Sequence, residues 1–305
     1  MHSRSTLLVV VVLGLFSRLH AEVPQFRSGV ELVPVTVTVT DRQGRYITDL
    51  RAEEFSLSDN GVPARAELFE RQRAAVALVI VVDSSSSMSD RLPALKQAAA
   101  NLLKSLRPGD SAAIVDCDAS ATLIAPMSDD VAAVGAALET VTAGGTTALH
   151  DAVLRASMEL EASVRTRGAQ PQRPVIVVFS DGADTASSAA ANDVLERAEQ
   201  DGTAVYPITL GTAGSHPRRG IAAVLQNQGA RALHRLADVT GGRMFAPSSV
   251  AELHVVFKQL EEELRSQYLL GFTPPPTTAG ERRRINVAVR RAGVTVRARA
   301  AYLME

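Results

Sequence analysis

Hydrophobic and polar positions change rhythm along this chain, and each change marks a different architecture. Over residues 31–72 the rhythm is two. Val33, Val35, Val37 and Val39 alternate with Pro34, Thr36, Thr38 and Thr40. β-Branched residues at every second position predict a strand with one buried face. Asp41-Arg42-Gln43-Gly44 and Asp59-Asn60-Gly61 then predict turns, the second of the kind that closes a tight hairpin. The segment reads as a small antiparallel β module.

From residue 75 the alternation disappears. Residues 75–82 are apolar without interruption, as expected of a strand covered on both faces. Helical spacing follows over 92–106, at Leu92, Leu95, Ala99, Leu102, Leu103 and Leu106, and Pro108-Gly109-Asp110 stops it. Further strands are expected over 112–115, 122–124, 175–179 and 205–210, with a last short one at 244–246. Helices are expected over 129–139, 148–161, 189–200 and 231–239. A long helix over 249–266 carries Leu253, Val256, Phe257, Leu260 and Leu264 on one face. Strands alternating with helices imply a doubly wound α/β domain, a mostly parallel central sheet with helices on both faces. After Pro274-Pro275-Pro276 the period returns to two, around 284–289 and 294–300, and the arginines there are expected on a solvated face. The division is therefore a β module at 22–73, the α/β domain at 74–266 and a β segment at 267–305.

Residues 1–21 stand apart. Arg4 precedes an apolar stretch from Leu7 to Phe16, and Ala21 offers a small residue for cleavage. That stretch has the length of a secretory signal, whereas a spanning helix needs about 20 apolar residues. The expectation is a signal peptide and a secreted or periplasmic protein, with no transmembrane helix in the mature chain.

Composition narrows the function. Lys and Arg number 32 against 33 Asp and Glu, which disfavours a general nucleic-acid binder. Trp is absent, and Cys117 is the only cysteine. An intramolecular disulfide, a cysteine zinc cluster and a CxxC redox pair are thereby excluded.

The candidate chemistry lies at strand ends. Asp83-Ser84-Ser85-Ser86-Ser87 follows the 75–82 run, Gly144-Gly145-Thr146-Thr147 precedes a helix, and Asp181-Gly182 follows strand 175–179. In open α/β sheets, ligands sit beyond the carboxyl ends of the strands. Carboxylates and hydroxyls meeting there would make an all-oxygen site suited to a hard cation such as Mg²⁺.

These motifs resemble the von Willebrand factor type A domain over roughly residues 74–264. Asp83-x-Ser85-x-Ser87 matches that family's DxSxS motif, and the later Thr and Asp match the rest of its metal-ion-dependent adhesion site. The resemblance implies that Ser85, Ser87 and a threonine bind the ion directly. Asp83 and Asp181 would orient waters, although one could coordinate directly. Thr147 is the preferred threonine, because the family has a small residue five positions on and an aliphatic one six on, here Ala152 and Val153; Thr146 is the reserve. The flanks, VTVTDRQGRYITDLRAEEFSLSDNG and YLLGFTPPP with RRRINVAVRRAGVTVRARAAY, resemble the acidobacterial VWFA-related proteins. The implied function is a non-enzymatic binding module. It would hold Mg²⁺, or Mn²⁺ or Ca²⁺, and engage a protein partner that supplies a carboxylate to the ion.

Two other readings compete. One is a structural scaffold of an envelope assembly, in which the metal only orders loops. The other is a phosphatase of the haloacid-dehalogenase type, because Asp116-Cys117-Asp118-Ala119-Ser120 follows a strand and resembles that group's DxDxS motif, with an attacking Asp and a general acid. After Ser120 the one lysine is Lys258, in the long helix, which counts against it. His150, at the start of a helix beside the threonine pair, is expected in a capping or solvated role. Asp184 is either a neighbour of the site or a plain loop residue.

Overall fold

A computed structural model describes residues 32–71, 75–167, 172–209, 221–276 and 278–304, so the signal peptide assigned to 1–21 lies outside the described residues. The period-two segment forms β1 (Val33–Asp41), β2 (Phe55–Asp59), β3 (Val62–Ala64) and β4 (Leu68–Arg71). Strands and helices then alternate: β5 (Ala75–Asp83), α1 (Leu92–Lys104), β6 (Ser111–Cys117), β7 (Ala121–Ser128), α2 (Val131–Leu138) and α3 (Leu149–Arg167). They continue as β8 (Gln172–Phe179), α4 (Ala191–Asp201), β9 (Ala204–Ile208), α5 (Ile221–Thr240) and α6 (Leu253–Ser266). The chain closes with β10 (Tyr268–Phe272), β11 (Arg282–Val289), β12 (Val294–Ala298) and β13 (Ala301–Leu303).

The α/β part is doubly wound. Its sheet runs β7-β6-β5-β8-β9, parallel throughout except for β7, which pairs antiparallel with β6. The apolar run of β5 is explained by two cores. Val76, Leu78, Ile80 and Val82 pack with Leu95 and Leu102 of α1 and Leu260 and Leu264 of α6. Ala77, Val79 and Val81 pack on the other face with Leu149 and Val153 of α3, Val194 of α4 and Leu233 of α5. Burying each of these larger aliphatic side chains contributes about 2 kcal/mol. β5 has β6 on one side and β8 on the other, so the strand order reverses beside its carboxyl end.

The two β flanks pair with each other. One sheet runs β12-β1-β10-β4 and the other β13-β11-β2-β3, so each mixes strands from both ends of the chain. Val33, Val35, Val37 and Val39 meet Leu57, Leu270, Phe272, Ile285 and Tyr302 between the sheets. The outward side of β1 is not all wet. Thr38 is buried, and its hydroxyl accepts from Gln267 Nε2 at 3.2 Å. Gln267, the single residue between α6 and β10, also donates to Tyr206 Oη in β9 (2.6 Å) and accepts from Arg173 Nη1 in β8 (2.7 Å). The sandwich therefore docks at the amino ends of the parallel strands, opposite the reversal of strand order.

Several expectations change in detail. Asn60 (φ 47°) and Gly61 (φ 83°) close the β2–β3 hairpin as expected. The strand expected at 122–124 is longer and antiparallel. The helix expected over 231–239 begins at Ile221 and contains Gly229. The strand expected at 244–246 reduces to a single parallel bridge, Ile208 to Phe245. The solvated face expected for the C-terminal arginines is found for Arg284 and Arg290. Others are drawn into ion pairs by carboxylates from distant segments: Arg282 with Glu199 (2.7 Å), Arg283 with Asp59 (2.9 Å), Arg291 with Asp49 (2.6 Å), and Arg297 with the buried Glu263. Arg299 is itself buried and donates to the Glu199 carbonyl.

Candidate metal centre

Asp83 ends β5 and is fully buried. Its Oδ1 accepts the Ser85 amide at 3.0 Å, an Asx-type turn that swings the chain away from the sheet. A single 3₁₀ turn, Ser86–Met88, follows and buries Met88 as its anchor. The turn brings Ser85 Oγ and Ser87 Oγ to 3.0 Å, with Ser85 buried and Ser87 exposed.

Two further loops close on this turn. Gly144 N donates to Ser84 O at 2.8 Å, while Ser86 donates through both N and Oγ to Gly145 O (3.2 and 3.1 Å). Gly145 takes φ 72°, a left-handed conformation that glycine adopts without strain. Thr147 is buried and Thr146 is exposed. The Thr147 amide donates to Thr185 Oγ1 at 3.0 Å, and its carbonyl accepts the Thr185 and Ala186 amides.

Asp181, two residues beyond β8, is also buried, and its Oδ1 accepts the Ala183 amide at 3.2 Å. The residue before it, Ser180, joins the loops. Its Oγ donates to Asp83 Oδ2 at 2.6 Å and accepts the Gly182 amide at 3.0 Å. Sequence reasoning missed Ser180; the local signal was a hydroxyl directly before Asp-Gly at a strand end. Asp184 staples this loop to α3, accepting the His150 amide (2.9 Å) and Ser187 Oγ (2.5 Å). His150 is part of the same staple, with Nδ1 3.2 Å from the Ala189 carbonyl.

Burial dominates the electrostatics of Asp83. Burial pushes the Asp83 carboxyl up to about 6, against the hydrogen bonds from Ser180 and Ser85, and the nearby Asp181 charge adds to the rise. Asp83, Ser85, Ser87, Thr147 and Asp181 are all carried by these interlocked loops. Among the described residues no cluster of three or more His, Cys, Asp or Glu is arranged for a metal, so a cation at this place would depend on hydroxyls. The donor chemistry fits a hard ion: the buried carboxylates of Asp83 and Asp181 and a pair of hydroxyls are all oxygen donors.

Asp116 and Asp118 lie on the adjoining strand and loop. Burial raises the Asp116 carboxyl, and the Asp118 charge adds to this. Asp118 caps its own turn, with Oδ1 accepting Ser120 N (2.9 Å) and Oγ (3.2 Å), while its carbonyl accepts the Ala148 amide. His234 pairs with Asp238 at the surface, and His254 lies beside the carbonyl of Ala251, in the turn just before α6.

Residues 78–183, which span β5 through the Asp181 turn, match the von Willebrand factor type A domain. The chain contains a von Willebrand factor type A domain. Its curated relatives include a UPF0353 protein of Mycolicibacterium vanbaalenii, 26% identical over 212 residues, covering 66% of this chain and 63% of the relative. A UPF0353 protein of Mycolicibacterium paratuberculosis is 28% identical over 211 residues, covering 65% and 63%. The chain thus spans less than two thirds of these relatives' length. Among solved structures, a von Willebrand factor type A protein from Catenulispora acidiphila superposes with TM-score 0.52 at 14% identity, over 82% of this chain and 74% of that one. An aerotolerance-related membrane protein from Bacteroides fragilis gives TM-score 0.50 at 19% identity, over 62% and 98%. These two likenesses are of fold. Among the described residues no helix is long and apolar enough to cross a membrane.

Proposed function

We propose that this von Willebrand factor type A domain is a protein-binding module that works through a divalent cation. Ser85, Ser87 and Thr147 would hold the ion through their hydroxyls, with Thr146 as the alternative threonine, and Asp83 and Asp181 would supply counter-charge and order its waters. Mg²⁺ is the first choice, with Mn²⁺ and Ca²⁺ as alternatives. When bound, the ion supplies a localised positive charge that neutral hydroxyls do not quench, so an acidic side chain of a partner protein can complete its coordination. The observation that carries this reading is the burial of Asp83 and Asp181 together at neighbouring strand ends beside the Ser85–Ser87 hydroxyl pair. A cation beside the buried Asp83 carboxylate would offset the cost of desolvating its charge. In the same reading the protein is secreted or periplasmic, which rests on the pattern of residues 1–21.

Isothermal titration of Mn²⁺ into the full chain, stripped of metal, tests the site. Saturable binding by the wild type, lost in Asp83→Ala with the circular dichroism spectrum preserved, is the expected result. Equal heats from both proteins would sink it. Acetate should then bind measurably to the Mn²⁺ form and not to the metal-free form, the expected behaviour of an open coordination position.

A scaffold role also has an observation in its favour, the ion-paired sandwich that mixes strands from both ends of the chain. A large rise in melting temperature with Mg²⁺, without any acetate binding, would favour that reading.

A further inference from the structure

Glycine is the poorest helix former after proline, yet Gly229 lies inside the twenty-residue α5. A Cβ placed on Gly229 would fall 1.3 Å from the Gly182 carbonyl oxygen and 2.4 Å from its carbonyl carbon. Gly182 returns the contact. It takes φ 89°, and a Cβ there would lie 2.9 Å from the Ala230 amide nitrogen. The two glycines therefore let the backbone of α5 abut the turn that follows Asp181, with no side chain between them.

That turn bears on both carboxylates. Asp181 immediately precedes Gly182 and accepts the amide of Ala183, the residue after it. The Gly182 amide donates to Ser180 Oγ, which in turn donates to Asp83 Oδ2. A displacement of the Gly182 peptide is thus passed to Asp181 along the chain and to Asp83 through one hydroxyl.

We infer that Gly229 is a positioning residue of the candidate metal centre: α5 sets the Asp181 turn by direct backbone contact, and Ser180 passes that setting to Asp83. The inference rests on the metal-binding reading above and adds to it a helix that contributes no ligand. Groups that orient metal ligands typically change affinity about 10–100-fold when removed.

The test titrates Mn²⁺ into metal-stripped full-length wild type, Gly229→Ala, Ser180→Ala and Asn227→Ala. Asn227 is exposed on the same helix and controls for helix propensity. Gly229→Ala and Ser180→Ala should each weaken Mn²⁺ binding by about tenfold or more and alter the electron paramagnetic resonance line shape of the ion still bound. Loss of global stability alone does not change that line shape. Asn227→Ala should match the wild type. If Gly229→Ala folds and binds as the wild type does, the inference is overturned. If Gly229→Ala does not fold, Ser180→Ala decides in the same way, since it removes the connecting hydroxyl without adding an atom. A wild type that binds no Mn²⁺ brings down the metal-binding reading and this inference together. A binding wild type with unaffected variants brings down this inference alone.

Discussion

Asp83 shows what burying a single carboxyl costs the fold. Its carboxyl is buried, and its pKa is lifted to about 6 from an ordinary value near 4. Between those values the folded chain holds the proton more tightly than the unfolded chain. Stability therefore falls as pH rises through that window, and the full penalty, on the order of 2–3 kcal/mol, is present above pH 6. Asp83→Asn should accordingly raise the melting temperature in excess chelator at pH 7.5 and do much less at pH 4; the ratio of the two shifts in a pair of calorimetric scans checks this. Added Mg²⁺ should reverse the advantage, because the amide can no longer supply charge to an ion. Asp83, Ser85 and Ser87 were legible in the sequence because five consecutive residues carry the motif. Ser180 was not, because its partner lies |i−j| = 97 positions away and no local pattern records the pairing.

At the scale of elements, legibility followed periodicity. β5 and α1 could be read because each presents an unmixed rhythm to its core. The first turns of α5 could not, since Gly229 looks like a stop unless the backbone it touches is known. The Phe245 bridge was overread as a strand, because three suitable residues gain only one pairing at the sheet's edge. α6 allows a quantitative check. Leu260 is fully buried against the sheet, so Leu260→Ala should cost about 2–5 kcal/mol, read from the urea midpoint at unchanged slope. The exposed Val255 on the same helix should tolerate alanine within about 0.5 kcal/mol.

Across the whole molecule, the sandwich and the α/β domain meet through buried polar groups. Glu263, fully buried on α6, pairs with Arg297 of β12 and accepts from Tyr46 Oη at 3.2 Å. Removing one member of such a pair leaves the other charge uncompensated, which typically costs about 3–5 kcal/mol. Glu263→Ala should therefore destabilise more than the double variant Glu263→Ala with Arg297→Ala, a sign that a double-mutant cycle in urea reads directly. The fold class was visible from the order of elements, and so were β strands at both ends. That those ends build one sandwich was not visible, because strand pairing between residues such as Val35 and Leu270 leaves no trace in either segment alone.

That interleaving has a mechanical consequence. β1 lies between β10 and β12, and β13 closes the opposite sheet, so the first and last described strands are held by one sandwich. A load applied between Val33 and Leu303 would run through backbone ladders on the side of the molecule that carries Gln267 and Arg173. The loops bearing Asp83, Thr147 and Asp181 stand at the far ends of β5 and β8, off that line of force. Stretching would load the sandwich before it deformed those loops.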